Sequence, residues 1–258
     1  MKRPQIMGIV NVTPDSFWSP SRVHGAEEAC RRIKEMAGQG ADIIDIGAVS
    51  SRPGAAEVSM EEEWARLEPV LRGLDGNVRI SIDTVRSAII RKAMALLESK
   101  LGAGYAGTLI VNDISAGEED SEMLDTAASY GLSYVAMHKR GTPSDMDGMT
   151  DYGGDVTGSI LEYFNAFAAR AEAVGLKDWI LDPGFGFAKT KEQNLELLEN
   201  LEAFRCFGRP VLVGIADKRF TEGRTGELHA LALERGADIL RVHDVRAVQD
   251  SLRDYKFL

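Results

Sequence analysis

Cysteine is nearly missing from this chain. Its 258 residues contain two, Cys30 and Cys206, with no CxxC pair and no dense spacing, which excludes a disulfide framework and a cysteine-built zinc site. Each falls inside a helical pattern, so both are expected as reduced, partly buried thiols. No stretch approaches the roughly 20 consecutive apolar residues of a membrane span. The opening MKRPQIMGIVNV pairs a basic start with a short apolar run, but Asn11 and Pro14 interrupt it before a signal core is complete. A cytoplasmic location without membrane attachment is expected. Positive charge is also in short supply: 30 Lys and Arg against 40 Asp and Glu leave a formal net charge of -10. That field repels nucleic acid in general, and a phosphate-bearing ligand must be met by a local positive site. Charge blocks and low-complexity segments are absent, and 44% hydrophobic with 27% charged residues is the composition of a globular core and surface.

What is present is a regular alternation of short apolar runs with amphipathic segments. Strands are expected over 6–10, 42–46, 78–82, 109–111, 133–137, 179–181, 211–215 and 238–242. Helices are expected after them over 27–39, 60–73, 86–97, 121–130, 156–174, 191–204, 226–235 and 246–255. The strands are β-branched and nearly all apolar, as in a parallel sheet covered on both faces. Glycines in GQGADIIDIG, YGLSYVAM and ERGADILRV stand where each preceding helix should be capped. Eight βα units in a chain of this length, with no linker or internal boundary, predict one α/β domain over 1–258, a single (β/α)₈ TIM barrel, with a doubly wound open sheet as the alternative.

In a barrel of this kind the strand ends and the loops after them build the site. Those ends carry Asn11, Asp45, Asp83, Asn112 with Asp113, His138, Asp182, Lys218, and Arg241 with His243. A polar residue at one strand end is ordinarily a helix cap or a solvated loop residue, but eight polar ends converging on one face make a binding site. Asp45, Asp83, Asn112 and Asp182 offer acceptors suited to a flat heterocycle rich in N–H donors. Asn11, Arg241 and His243, with Lys218 between the two sets, suit phosphate oxygens and a divalent cation that tolerates Asn and water as ligands. Arg241 and His243 are two apart and, on one strand, would share a face. Three loops with Gly or Pro follow strand ends: SSRPGA, RGTPSDM and DPGFGFAKT. There Arg52 could pair a carboxylate, and Phe185 or Phe187 could stack on a ring.

With those residues assembled, the chain resembles the dihydropteroate synthases. The resemblance covers nearly the whole length: NVTPDSF from Asn11, DIG at Asp45 and SSRPG to Gly54, SIDT from Ser81, VNDIS from Val111, MHKRGTP from Met137, LDPGFGF from Leu181, and RVHDV from Arg241. It implies condensation of 6-hydroxymethyl-7,8-dihydropterin diphosphate with 4-aminobenzoate in folate synthesis, Mg²⁺ as cofactor, small-molecule substrates and a homodimer paired through outer-ring helices. By the same resemblance Asp83, Asn112, Asp182 and Lys218 hold the pterin with Asp45 nearby, while Asn11, Arg241 and His243 hold the diphosphate, Asn11 also ligating the metal. Asp15 stabilises a cationic methylene, which together with Lys218, Arg241 and His243 makes up the catalytic set. The loop carrying Ser51, Arg52 and Pro53 closes over the substrates with the loop of Thr13 to Phe17, and Phe187 lies against a ring.

Two stretches depart from the pattern. The family usually has a Ser-Arg-Lys-Ser run after the seventh strand, and this chain has GIADKRF, keeping Lys218 while Arg219 takes the place of the serine that helps receive the aminobenzoate carboxylate. Arg219 either pairs that carboxylate or fills its pocket. The following FTEGRTGELHAL is shorter than the family norm, so the next helix is expected to begin abruptly and to be partly disordered. GAVSSRPG replaces a Gly-Gly-Glu-Ser-Thr-Arg-Pro-Gly run, which changes loop packing but keeps Arg52 and Pro53. The rival readings are a pterin-dependent methyltransferase module and a pterin-binding barrel that is impaired or not catalytic.

Overall fold

A computed structural model describes residues 3–13, 22–50, 57–141, 145–216 and 218–252. The chain alternates β1 (Gln5–Asn11), α1 (Arg22–Gly38), β2 (Ile43–Gly47), α2 (Met60–Gly73), β3 (Arg79–Asp83), α3 (Ser87–Leu101), a single-turn α4 (Ala103–Ala106) and β4 (Ile110–Asp113). It continues with α5 (Met123–Ser129), β5 (Ser133–Met137), α6 (Val156–Ala173), β6 (Trp179–Asp182), α7 (Lys191–Glu199), β7 (Leu212–Val213), α8 (Thr225–Glu234), β8 (Ile239–Val242) and α9 (Val245–Leu252). All eight strands pair in parallel in the order β6-β5-β4-β3-β2-β1-β8-β7, and a bridge between Leu181 and Val211 brings β6 against β7. The expected barrel is therefore the architecture found, and the open-sheet alternative is set aside. No helix among the described residues is long and apolar enough to cross a membrane.

The pleat sorts the strand residues into two cores. Met7, Ile43, Ile110, Val135, Ile180, Leu212 and Ile239 form a separate buried cluster, one residue from most strands, as in the side-chain layers of a barrel interior. The alternate positions, among them Ile6, Ile44, Ile80, Val111, Tyr134, Leu181, Val213 and Leu240, join the larger cluster with the helices. Gly8 lets two helices lie close on the sheet: a Cβ there would stand 2.9 Å from Met36 Sδ of α1 and 3.1 Å from Val245 Cγ2 of α9.

Helix ends follow the sequence. Ser59 and Glu62 form a capping box on α2, and Thr190 and Gln193 form another on α7. The glycine stops at Gly131 and Gly236 have φ of 65° and 99°. At each, paired backbone bonds close the preceding helix, Gly131 to Ala128 with Leu132 to Ala127, and Gly236 to Leu233 with Ala237 to Ala232.

Several expectations need correction. The helix expected over 191–204 stops at Glu199, and Leu201–Phe207 continues as a 3₁₀ segment that turns Phe204 into the core. The seventh strand is two residues long instead of five. Before α8 the chain is organised as a 3₁₀ turn, Arg219–Thr221, with Phe220 and Thr221 buried, so the abrupt start is real but residues 218–225 are structured. Cys30 is half-buried as expected, whereas Cys206 is exposed, because the 3₁₀ geometry directs Phe204 inward and Cys206 outward.

Asp113 shows how a strand end can serve the fold alone. It is buried behind β4 and accepts from Ser115 N–H at 2.7 Å, Ser115 Oγ at 2.7 Å, Gly117 N–H at 2.9 Å and Tyr134 Oη at 2.6 Å. Burial raises its pKa, and these four donors pull it back down. The Tyr134→Phe substitution removes one donor to a buried carboxylate and should cost about 1–3 kcal/mol, read as a lower midpoint in urea unfolding; an unchanged midpoint would show that the bond contributes nothing.

Candidate functional site

The C-terminal ends of the strands meet in a polar cleft lined by Asp83, Asn112, Met137, Asp182, Lys218 and Arg241, with Ile114, Phe185, Phe187 and Gly214 completing its wall. A larger and shallower depression, of about 540 Å³, lies at the opposite end of the barrel around Arg79, Tyr105, Ser133 and Asp178. Its polar groups bond one another: Arg79 donates to Thr108 O and Ser133 Oγ, and Tyr105 Oη donates to Val78 O. Chemistry on this fold belongs at the strand C-termini, and the cleft there carries the charged groups.

An ion cluster forms the floor of the cleft. Arg241 on β8 donates through Nε to Asp45 Oδ2 at 2.7 Å and through Nη2 to Asp83 Oδ2 at 2.9 Å. Asn112 Nδ2 also donates to Asp45 Oδ2, at 2.9 Å. Burial works against the guanidinium charge, but Asp45 and Asp83 hold its pKa above the ordinary arginine range. Asp83 is pushed up to about 7, first by burial and then by the neighbouring Asp45 carboxylate, with Arg241 opposing both. Asp182 is also raised by burial, against the Gly184 N–H that it accepts at 2.8 Å and the charges of Arg241, Lys218 and Lys189.

The two chemical sets read from the sequence are thus joined. Arg241, expected among the phosphate ligands, reaches across the barrel mouth to the acids, its guanidinium bonding both Asp45 and Asp83. Asp45 is fully buried beneath the cleft and reaches it through Asn112 and Arg241; its place two residues before the end of β2 explains the depth. Its Oδ1 has no partner among the described residues, and neither does the buried Ser81 Oγ. His243 is the first residue after β8, which ends at Val242, and its carbonyl accepts from Arg32 Nη2 at 3.1 Å.

Asn11 closes β1 beside Gly47, where the missing Cβ matters. A Cβ on Gly47 would stand 3.4 Å from Asp83 Cβ and 3.5 Å from Asn11 Oδ1, so glycine lets both side chains share that corner. Phe187 carries Lys218 Nζ 4.5 Å from its ring centre. Arg219 is exposed at the start of its 3₁₀ turn, while Phe220 beside it is buried and stacks on Phe185 with ring centres 6.3 Å apart. Asp15, Ser51, Arg52 and Pro53 lie outside the described residues, as does Asp217. His138 and Asp113, polar strand ends by sequence, do not line the cleft.

One buried charge was missed by the sequence reading. Lys189, in the quoted DPGFGFAKT loop, is 9% exposed and donates to the carbonyls of Gly184 at 2.9 Å and Phe187 at 3.1 Å. The signal available was a lysine directly before the Thr190 helix cap, in a loop noted only for its glycines and phenylalanines.

The chain matches the family described as pterin binding enzyme over residues 7–243. It is 40% identical to the dihydropteroate synthase of Synechocystis over 96% of this chain and 87% of that protein. It is 37% identical to that of Escherichia coli over 98% of this chain and 91% of its relative. The chain belongs to the dihydropteroate synthase family. Solved members share its fold: a Clostridium difficile dihydropteroate synthase, determined in the presence of pteroic acid, has a TM-score of 0.86 at 33% identity, covering 98% of this chain and 95% of its own. A Xanthomonas albilineans dihydropteroate synthase with 4-aminobenzoic acid has a TM-score of 0.84 at 36% identity, with 97% and 91% covered.

Within this family member the Asp83 shift has a stability consequence. The folded pKa of about 7 lies above the ordinary aspartate value of 3.8, so the fold binds the extra proton between those limits and loses stability from this group as pH rises through them. Asp83→Asn removes that slope. Urea unfolding at about pH 5 and pH 8 should show the variant gaining on wild type at the higher pH; parallel behaviour would assign Asp83 an ordinary pKa.

Proposed function

We propose that this chain condenses 6-hydroxymethyl-7,8-dihydropterin diphosphate with 4-aminobenzoate, forming 7,8-dihydropteroate and pyrophosphate for folate synthesis. The observation that carries the reading is the single cleft uniting Asp83, Asn112 and Asp182 with Arg241 and Lys218. Carboxylates and an amide oxygen accept from the ring N–H and amino groups of a pterin, and Phe187 offers a flat apolar face. A cation beside those acceptors suits the charged end of the same substrate.

In the reaction the bond between the pterin methylene carbon and the diphosphate oxygen breaks, and the oxygen takes the electron pair. Arg241 stabilises the charge gathering on the leaving group. The aminobenzoate nitrogen then attacks the methylene carbon and releases its proton, so no covalent bond to the protein is required. Asp15 is assigned to the cationic methylene, and the Ser51, Arg52 and Pro53 loop to excluding water and receiving aminobenzoate. Arg219, exposed at the rim of Lys218, is assigned to the carboxylate of the second substrate. His243 is assigned to the diphosphate together with Asn11.

Mg²⁺ fits this corner. The Asn11 amide oxygen beside Gly47 is a hard donor in a space that a Cβ would fill, and Mg²⁺ commonly takes one or two protein oxygens together with phosphate oxygens and water. Among the described residues no group of three or more His, Cys, Asp or Glu could hold a metal alone, so Asn11 would hold the ion with the substrate's own oxygens. When bound, Mg²⁺ neutralises part of the diphosphate charge. The reading takes the working enzyme to be a cytoplasmic homodimer.

The decisive assay follows pyrophosphate release from the pterin diphosphate with Mg²⁺, with and without 4-aminobenzoate, together with dihydropteroate formation. Dihydropteroate that appears only with aminobenzoate supports the synthase, whereas tight pterin binding without condensation would favour the non-catalytic barrel. Arg241→Gln should lower kcat/KM by about 100-fold or more through lost stabilisation of the departing anion.

A further inference from the structure

The loop between β6 and α7 is held from behind by the buried ammonium of Lys189. Besides the Gly184 and Phe187 carbonyls, its Nζ lies 3.2 Å from His138 Nδ1 at the end of β5. Three acceptors around one nitrogen use three N–H bonds, which only the ammonium form supplies. Burial, then the charges of Lys189 and Arg140, hold His138 down to about 2, so the ring is neutral, and with its proton on Nε2 the imidazole accepts from the ammonium at Nδ1.

The same loop shapes the cleft. Gly184 has φ of 72°, and a Cβ on it would stand 1.9 Å from the His138 carbonyl oxygen, so the loop lies directly on the end of β5. A Cβ on Gly186 would stand 3.0 Å from Lys218 Cδ, and the Phe187 ring carries Lys218 Nζ. Asn194 braces the far side, accepting from Gly186 N–H at 2.7 Å and donating to Lys189 O at 3.2 Å and Thr190 O at 2.7 Å. Shifting this loop therefore moves Phe187 and Lys218 together.

We propose that Lys189 is a positioning residue for pterin recognition: its buried ammonium clamps the 183–189 loop to His138 and so sets Phe187, Lys218 and the charge of Asp182. The proposal rests on reading the cleft as a pterin site. Lys189 itself lines no part of the cleft, so it acts through the loop.

The groups facing Lys189 are the Asp182 carboxylate, the Arg140 and Lys218 cations, and the neutral His138 ring. Burial lowers its pKa most, Asp182 raises it, and Arg140 and Lys218 lower it, leaving it at about 7. As pH rises past neutrality the amine keeps two N–H bonds for three acceptors, and the clamp loosens. The sign is opposite to that of Asp83, whose ionisation over the same range favours acceptance of pterin N–H groups.

The test is Lys189→Met in the full chain. Affinity for pteroic acid is measured by calorimetry from about pH 6 to pH 9, with inorganic pyrophosphate and thermal unfolding as companions. The variant should bind pteroic acid about tenfold or more weakly near pH 6.5, the equivalent of one lost charge-assisted bond. Pyrophosphate affinity should stay within about twofold. Wild type should lose affinity on the alkaline side, and the variant should lack that limb. Equal affinity, or identical pH profiles, overturns the proposal. Hydrogen exchange supplies a second readout should the variant fail to fold: corrected for intrinsic rates, protection of wild-type amides 184–190 should fall as pH rises past neutrality, and unchanged protection overturns the clamp. A wild type that binds no pteroic acid sinks the pterin reading alone, because exchange still decides whether Lys189 clamps the loop.

Discussion

The site depends on one interaction, the guanidinium of Arg241 held between Asp45 and Asp83. Asp45 is wholly excluded from solvent, and Arg241 and Asp83 retain side-chain exposures of 23% and 21%. Removing one charge from such a group leaves the others desolvated and uncompensated, which commonly costs about 3–5 kcal/mol. Each single substitution in the cluster therefore carries a stability cost of its own. It also ties β8 to β2 and β3 across the barrel mouth, so the geometry of the cleft floor and the closure of that side of the barrel are one problem. Asn112 extends the tie to β4 through Asp45. The apolar layer beneath, from Met7 round to Ile239, excludes water and strengthens each of these contacts.

Much of this was legible in the sequence, and the misses have physical causes. Strand periodicity and the glycine stops gave the eight units because a doubly covered parallel strand and a left-handed helix stop each have a local signature. The convergence of polar strand ends was legible because the barrel topology brings those ends together. Depth was not legible: Asp45 and Asp83 both look like strand-end acids in sequence, yet Asp45 sits two residues before the end of β2 and is sealed, while Asp83 closes β3 at the surface of the cleft. Pairing was not legible either, since Arg241 could serve an anion or an acid until the position of β2 was known. The break after Glu199, which turns Cys206 outward, came from the demand that Phe204 reach the core, a tertiary constraint that helical periodicity does not carry.

Lys189 and Asp113 illustrate opposite errors in weighing polar residues. Asp113 stands beside Asn112 at a strand end, yet the pleat turns it outward to organise the Ser115 to Gly117 turn and Tyr134. Lys189 stands away from any strand end, yet it is buried and organises the wall of the cleft. Partners distinguish the two cases, and the partners of a buried lysine are three acceptors far apart in the sequence or in backbone carbonyls, invisible to a motif.

The short β7 gives the barrel an uneven stiffness. Most neighbouring strands share ladders of four or five residue pairs, whereas β6 and β7 meet through the Leu181 and Val211 bridge and the bond from Leu181 N–H to Pro210 O. A ring laced tightly around most of its circumference yields first along its loosest seam. Asp182 and Lys218 flank that seam, while the Asp45, Arg241 and Asp83 cluster sits on the laced side, so the two walls of the cleft stand on parts of the ring that are tied unequally.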